Sequence, residues 1–267
     1  VATSPQFFTA VAGRLASAVK RTPFVFELGD IWPASIVAVG AMEQSFIIRL
    51  MEKFELFLYR RSDSVAALTG AFKANLIRRG IKGDKISVVM NGVDLARYRP
   101  RDPDENLAKA WNLDGKFVVG YIGTHGMAQG LMNVLDAAEL LRDESRICFL
   151  LVGDGAERAN LVRAVQDRNL GNVVLIPAQP KEELPRIWSI CDVALVHLRG
   201  SPVFSEVIPS KTFEAMAMGR PVLLATPSGE KRAPSRKGFG RNAASLRHYA
   251  LEYVDMSFGH IPNLATF

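Results

Sequence analysis

The chain has 267 residues, of which 48 % are hydrophobic and 22 % charged. That supports a sizeable core, allows two domains, and excludes a disordered or low-complexity protein. The net charge of +6 is spread along the sequence; a basic cleft suits a nucleoside diphosphate, an anionic lipid surface or nucleic acid, so charge alone does not choose. Cys148 and Cys191 sit in apolar surroundings with no pairing or metal-ligand spacing. They are expected to be buried, reduced thiols of a cytosolic protein. No apolar stretch approaches the roughly 20 residues of a membrane-spanning helix, and no signal peptide opens the chain.

The opening VATSPQFFTAVAG reads as a strand end running into a helix, which suggests a start inside a domain. Phe24 to Leu28 is a short apolar run after Pro23. Met42 to Arg61 has helical spacing in Phe46, Leu50, Phe54, Phe57 and Leu58. A strand from Ser64 to Leu68, a helix to Arg79 and a strand from Ile86 to Met90 follow. Turn formers and charge in NGVDLARYRPRDP, Asn91 to Pro103, mark a boundary. Beyond it, strands are predicted at Phe117 to Ile122, Ile147 to Val152, Val173 to Ile176, Val193 to Val196 and Val222 to Ala225. Helices fill the gaps at Leu131 to Leu141, Arg158 to Asp167 and Lys211 to Met218. This alternation implies an α/β fold of two doubly wound parallel sheets, with a ligand cleft at the strands' carboxyl ends.

Three segments offer chemistry. In SEVIPSKTFEAMAMGRPVLLA, Pro209 and Ser210 fit a helix start, with the Ser210 side chain expected to cap the amides of Lys211 to Phe213. Those amides and the helix dipole suit a phosphate. Glu214 falls in the first turn and Glu206 eight residues earlier, so the two carboxylates can reach different parts of one ligand; capping plus a solvated charge is the plainer alternative. In VVGYIGTHGMAQGLMN, a buried strand ends in Gly123, Gly126 and Gly130 before a helix. That loop lets backbone approach phosphates, yet it is neither a P-loop nor a GxGxxG fingerprint, and tight turns often need glycine for geometry alone. Gly153-Asp154-Gly155 has the same two readings, with the structural one preferred. Asp102-Pro103-Asp104 looks like a metal motif, but its place before a helical run favours capping.

Together these segments resemble the retaining GT-B glycosyltransferases of family four, especially bacterial amino-sugar (fucosamine) transferases of surface-polysaccharide synthesis. VVMNGVDLARYRP is similar to the family's interdomain linker, GTHGMAQG to its phosphate loop, LLVGDGAERANL to the next strand and turn, and Glu206 to Glu214 to its E-x7-E motif. FELGDIWPASIVAVG resembles a cleft segment of the first domain. The resemblance runs from about Val1 to Glu230. It implies two Rossmann-like domains, an incomplete one with its linker at 1–99 and a donor-binding one at 100–230, followed by an unmatched, irregular tail at 231–267. It also implies that Glu214 binds the donor ribose and Glu206 the donor sugar. The loop containing Gly123, Thr124, His125, Gln129 and Gly130 would hold the diphosphate with Ser210. Ile176 to Gln179, centred on Ala178, would lie against the base.

The expected donor is a nucleoside-diphosphate sugar, UDP-linked, with no cofactor and no obligatory metal. The expected acceptor is a saccharide or polyprenyl-linked hydroxyl at the cytoplasmic membrane face. Peripheral contact there falls to the Met42 to Arg61 helix with Arg60 and Arg61, although such a helix commonly just covers a sheet. Two departures from the family matter. Thr124 and Gln129 replace the basic residues many relatives carry in the loop, so Lys211, then Arg199, is assigned the missing positive charge. On the first-domain side Glu27 and Asp30 replace a histidine, and Asp30 either faces the acceptor or caps the next turn. His197 reads as a core residue. The rivals are an epimerase of similar build and a non-catalytic nucleotide-sugar-binding fragment. Nucleic-acid binding ranks last, lacking aromatic platforms among the basic residues.

Overall fold

The computed structural model describes residues 1–4, 7–38, 40, 42–43, 45–201, 204 and 207–225. The irregular tail expected at 231–267 therefore lies outside the described residues. The chain divides into two compact units, one formed by Val1–Gly92 with Gly200–Ile208, the other by Val93–Arg199 with the chain from Pro209.

In the first unit, β1 (Ala2–Thr3), β2 (Val25–Leu28), β3 (Ser64–Ala67) and β4 (Ile86–Val88) form a parallel sheet in chain order. The helices are α1 (Phe7–Lys20), α2 (Ala34–Ala38), α3 (Phe46–Arg61) and α4 (Gly70–Arg78). Hydroxyl caps start two of them: Ser45 Oγ accepts from the Ile48 amide at 3.3 Å, and Thr69 Oγ1 from the Phe72 amide at 3.1 Å. Phe26, Leu28, Leu58, Tyr59, Val65, Phe72 and Leu76 build the core. Of the apolar stripe read from the α3 sequence only Leu58 is buried. Phe46, Leu50, Phe54 and Phe57 are exposed, whereas Ile48, Glu55, Leu58 and Tyr59 point inward. The helix is apolar on both sides, so spacing alone could not say which side the sheet takes.

In the second unit, α5 (Glu105–Ala110) leads into β5 (Phe117–Ile122), α6 (Met132–Leu140), β6 (Ile147–Val152), α7 (Arg158–Asp167), β7 (Val173–Ile176), α8 (Leu184–Ser189), β8 (Val193–His197), α9 (Lys211–Ala217) and β9 (Val222–Ala225). The sheet is parallel with order β7-β6-β5-β8-β9. Its central strands are aliphatic runs because both faces are covered. Val118, Ile122, Leu150 and Trp188 pack on one face, and Tyr121, Leu135, Leu151 and Leu195 on the other. Burying each such side chain contributes about 1.5–3 kcal/mol. Strand order reverses between β5 and β8, which places a crevice at their carboxyl ends. Tyr98, ahead of α5, belongs to this core. Cys148 and Cys191 are buried free thiols, as expected.

Candidate functional site

The loop from β5 to α6 starts at the switch point and is locked against the turn after β6. Gly153 and Gly155 have φ of +154° and +153°, values side chains rarely adopt. A Cβ on Gly153 would lie 1.9 Å from the Gly123 carbonyl oxygen, and one on Gly155 2.6 Å from that of His125. Backbone bonds of 2.8 Å from His125 N to Asp154 O, and from Glu157 N to His125 O, complete the lock. Gly153 and Gly155 are thus required by the local backbone geometry. His125 departs from expectation. Its ring is fully buried, both ring nitrogens lack a partner among the described residues, and burial, then the charges of Arg158 and Lys211, hold its pKa down to about 4. The ring is turned into the protein.

The other end of the loop is tied to β8. Buried His197 contacts the Gln129 carbonyl oxygen through Nδ1 at 2.6 Å, and the Arg199 amide donates to Ala128 O at 2.8 Å. Gly130 is left-handed, with φ of +57°, and a Cβ there would meet Arg199 Cγ at 2.8 Å. Between the two anchors Thr124 is exposed, and its carbonyl accepts from the Tyr121 hydroxyl at 2.7 Å.

Lys211, the first residue of α9, reaches into this loop. Its Nζ lies 3.6 Å above the centre of the Tyr121 ring and 2.8 Å from where a Gly123 Cβ would be. The ammonium makes no hydrogen bond or ion pair among the described residues. Burial pulls its pKa down to about 7, against the opposing charge of Glu214. An amine held this way has no anion paired with it among the described residues, and glycine at 123 leaves room for one.

Ser210 corrects a second expectation. Its side chain makes no cap bond, and the amides of Thr212 and Phe213 are taken by the Pro209 and Ser210 carbonyls at 3.0 Å. The helix start therefore has fewer free amides than its sequence promised. Glu214 accepts a hydrogen bond from Tyr98, whose hydroxyl is pushed up to about 12 by burial and then by the Glu214 charge. Tyr98 shares a core with Ala215 and Met218, and a Cβ on Gly219 would touch Pro100 Cγ at 3.5 Å. These contacts strap the segment after Val93 along α9. Glu206 lies outside the described residues.

Ala178 is exposed just after β7, at the same end of the parallel sheet as the loop. Asp30, in the first unit, engages the Ser35 side chain and the Ile31 backbone, and burial raises its pKa; these are local turn contacts. Asp104 caps α5 through the Leu107 amide at 2.9 Å and pairs with Arg186, so its motif serves capping. No cluster of metal-ligating residues occurs among the described residues. Tyr121 and Tyr98 were not singled out from the sequence. The available signal was a tyrosine in a buried apolar strand and another in a polar linker.

The second unit is thus a Rossmann-like parallel sheet with a glycine loop and a lysine at its switch point, and solved structures share the fold of the chain. Anabaena HepE, solved with UDP-glucose, superposes with a TM-score of 0.73 at 20 % identity, covering 95 % of this chain and 69 % of that one. Sucrose-phosphate synthase from Thermosynechococcus elongatus gives 0.70 at 20 %, covering 94 % and 63 %. Residues 103–233 match the family described as "Glycosyl transferases group 1", and residues 2–97 match "Glycosyltransferase Family 4". The chain belongs to the group 1 glycosyltransferases of GT-B type, with a family 4 N-terminal region.

WcaI of Escherichia coli (strain K12), provisionally named for colanic acid biosynthesis, is 29 % identical over 222 residues, 80 % of this chain and 54 % of its own length. The 2-deoxystreptamine glucosyltransferase of Streptomyces kanamyceticus is 30 % identical over 225 residues, 81 % of this chain and 56 % of its own. The chain spans about half the length of the curated relatives it matches.

Proposed function

We propose that the second unit binds a nucleoside-diphosphate sugar, and that the protein transfers the sugar, with retained anomeric configuration, to an acceptor hydroxyl in cell-surface polysaccharide synthesis. One observation carries the reading: the desolvated Lys211 ammonium, without an ion pair among the described residues, beside the Gly123 loop at the sheet's switch point. A diphosphate seated there would supply the missing counter-charge. As the sugar–oxygen bond breaks, negative charge grows on the departing phosphate, and a lysine fixed in a low-dielectric site stabilises it more than water would. The backbone of Gly123, Thr124 and Gly130 would contribute to holding the same diphosphate. Glu214, held by Tyr98, takes the ribose hydroxyls, Glu206 the sugar, and the segment at Ala178 the base. Asp30 is the acceptor-side group. HepE complexes with UDP and UDP-glucose support a UDP-linked donor, while a GDP-mannose-dependent relative in Mycobacterium tuberculosis makes the base a point to measure.

The acceptor is a polyprenyl-linked saccharide. Support comes from α3, whose exposed Phe46, Ile47, Leu50, Phe54 and Phe57 alternate with Arg49, Lys53, Arg60 and Arg61, a pattern suited to an anionic lipid surface. No helix among the described residues is long and apolar enough to cross a membrane. Calorimetry with UDP, GDP and their sugar conjugates tests the donor reading. Wild-type binding that falls at least ~10-fold in Lys211→Ala is expected, the usual worth of a lost charge-assisted bond. Unchanged binding would remove Lys211 from the site. Adding a polyprenyl-diphosphate saccharide then separates a transferase, which extends the lipid, from an epimerase or a pure binder, which does not.

A further inference from the structure

Lys211 has an odd resting partner. Lysines next to an anion site ordinarily wait in water or against a carboxylate. This one is folded over an aromatic face, with its Nζ 3.6 Å from the Tyr121 ring centre. Tyr121 is itself fully buried and pinned by its hydroxyl to the Thr124 carbonyl at 2.7 Å, so ring and loop move together. Its hydroxyl lies 3.9 Å from the point a Gly123 Cβ would occupy, and Lys211 Nζ 2.8 Å from the same point. A side chain at 123 would displace the ammonium from the ring. Three residues on separate elements thus share one small volume.

Resting on the donor reading above, we propose that Tyr121 is a positioning residue for Lys211: its ring face seats the ammonium beside the Gly123 loop until a diphosphate takes the charge over. A ring quadrupole attracts a cation without competing for it as a carboxylate would, so the lysine is held in place yet stays available. Several groups among the described residues face Lys211. They are Glu214 on its own helix, Tyr121 on β5, and the buried rings of His125 in the loop and His197 on β8, both of which feel its charge. Burial holds His125 near 4 and also lowers His197, whereas Lys211 titrates at about 7. The lysine can therefore be followed separately. In the free protein at pH 8 it is largely neutral, and diphosphate binding draws in one proton.

The test is UDP or GDP binding by the full chain from pH 6 to 9, with calorimetry in buffers of different ionisation enthalpy to count protons. Wild type should take up close to one proton at pH 8, and its affinity should fall as pH rises through about 7. Lys211→Met should bind at least ~10-fold more weakly and show no proton uptake at pH 8. Tyr121→Phe keeps the ring and should keep the midpoint. Tyr121→pentafluorophenylalanine keeps the shape but removes the negative face. Its midpoint should move acid by about 0.5–1 pH unit, the usual worth of a cation–π contact. A midpoint unmoved by fluorination, with Lys211→Met still defective, overturns the role of Tyr121 alone. Failure of wild type to bind either nucleotide, or unaltered binding by Lys211→Met, overturns the donor reading and this inference with it.

Discussion

Replacing Lys211 by methionine should make the second unit more stable while it weakens donor binding. The ammonium has an ordinary pKa of 10.5 and is brought to about 7 by burial. At about 1.4 kcal/mol per pH unit, the charged form is disfavoured in the folded state by up to ~5 kcal/mol. Part of the side chain still meets solvent, and the Tyr121 face returns about 0.5–2 kcal/mol, so the expected net gain is ~1–3 kcal/mol at pH 6. The sign follows from proton counts. Below pH 7 both folded and unfolded chains hold the proton and the penalty is complete. Between 7 and 10.5 the unfolded chain holds more protons than the folded one, so wild-type stability rises with pH. Urea unfolding of both proteins at pH 6, 8 and 10 should show Lys211→Met ahead at pH 6 and the two converging by pH 10. A variant less stable than wild type at pH 6, or a difference that ignores pH, would refute the reasoning.

Gly120→Ala should cost about 1–3 kcal/mol, because its Cβ would sit 2.3 Å from Cys191 Sγ; Cys191→Ala in the same chain should recover most of it, as a double-mutant cycle would record. In the first unit, burial raises the Glu55 pKa to about 7 despite Tyr59 and Arg79. Its folded value exceeds the ordinary 4.5, so stability is lost as pH rises from 4.5 through 7, by at most ~3 kcal/mol, and a denaturation series on Glu55→Gln should be flatter over that range. Tyr98→Phe removes the hydroxyl that donates to Glu214. It should weaken UDP binding about 3- to 10-fold and leave binding of inorganic diphosphate unchanged, since the ribose contact alone is disturbed.

The strand pattern of both units was legible because buried parallel strands are aliphatic runs, and β5, β6, β7 and β9 begin and end where those runs do. That Lys211 belongs with the glycine loop was legible, but not how the two meet. Sequence spacing carries no rotamer, so nothing distinguished a His125 ring turned inward from one turned out. Ser210 fitted a capping position, yet the helix backbone satisfied its own first amides. Tyr121 was hidden among core residues because its function depends on what stands over the ring, and that residue is 90 positions away. The outward face of α3 escaped for a related reason: a helix apolar on both sides has no preferred orientation until the sheet beside it exists.

The interlock of Gly153 and Gly155 with the Gly123 loop has a consequence for redesign. The turn after β6 works as the mould in which the β5 loop is cast. Neither can gain a side chain or change length without the other, although some thirty positions of sequence separate them. Attempts to alter the proposed nucleotide site should leave this pair alone and vary the exposed residues after β7, around Ala178, which stand outside the interlock.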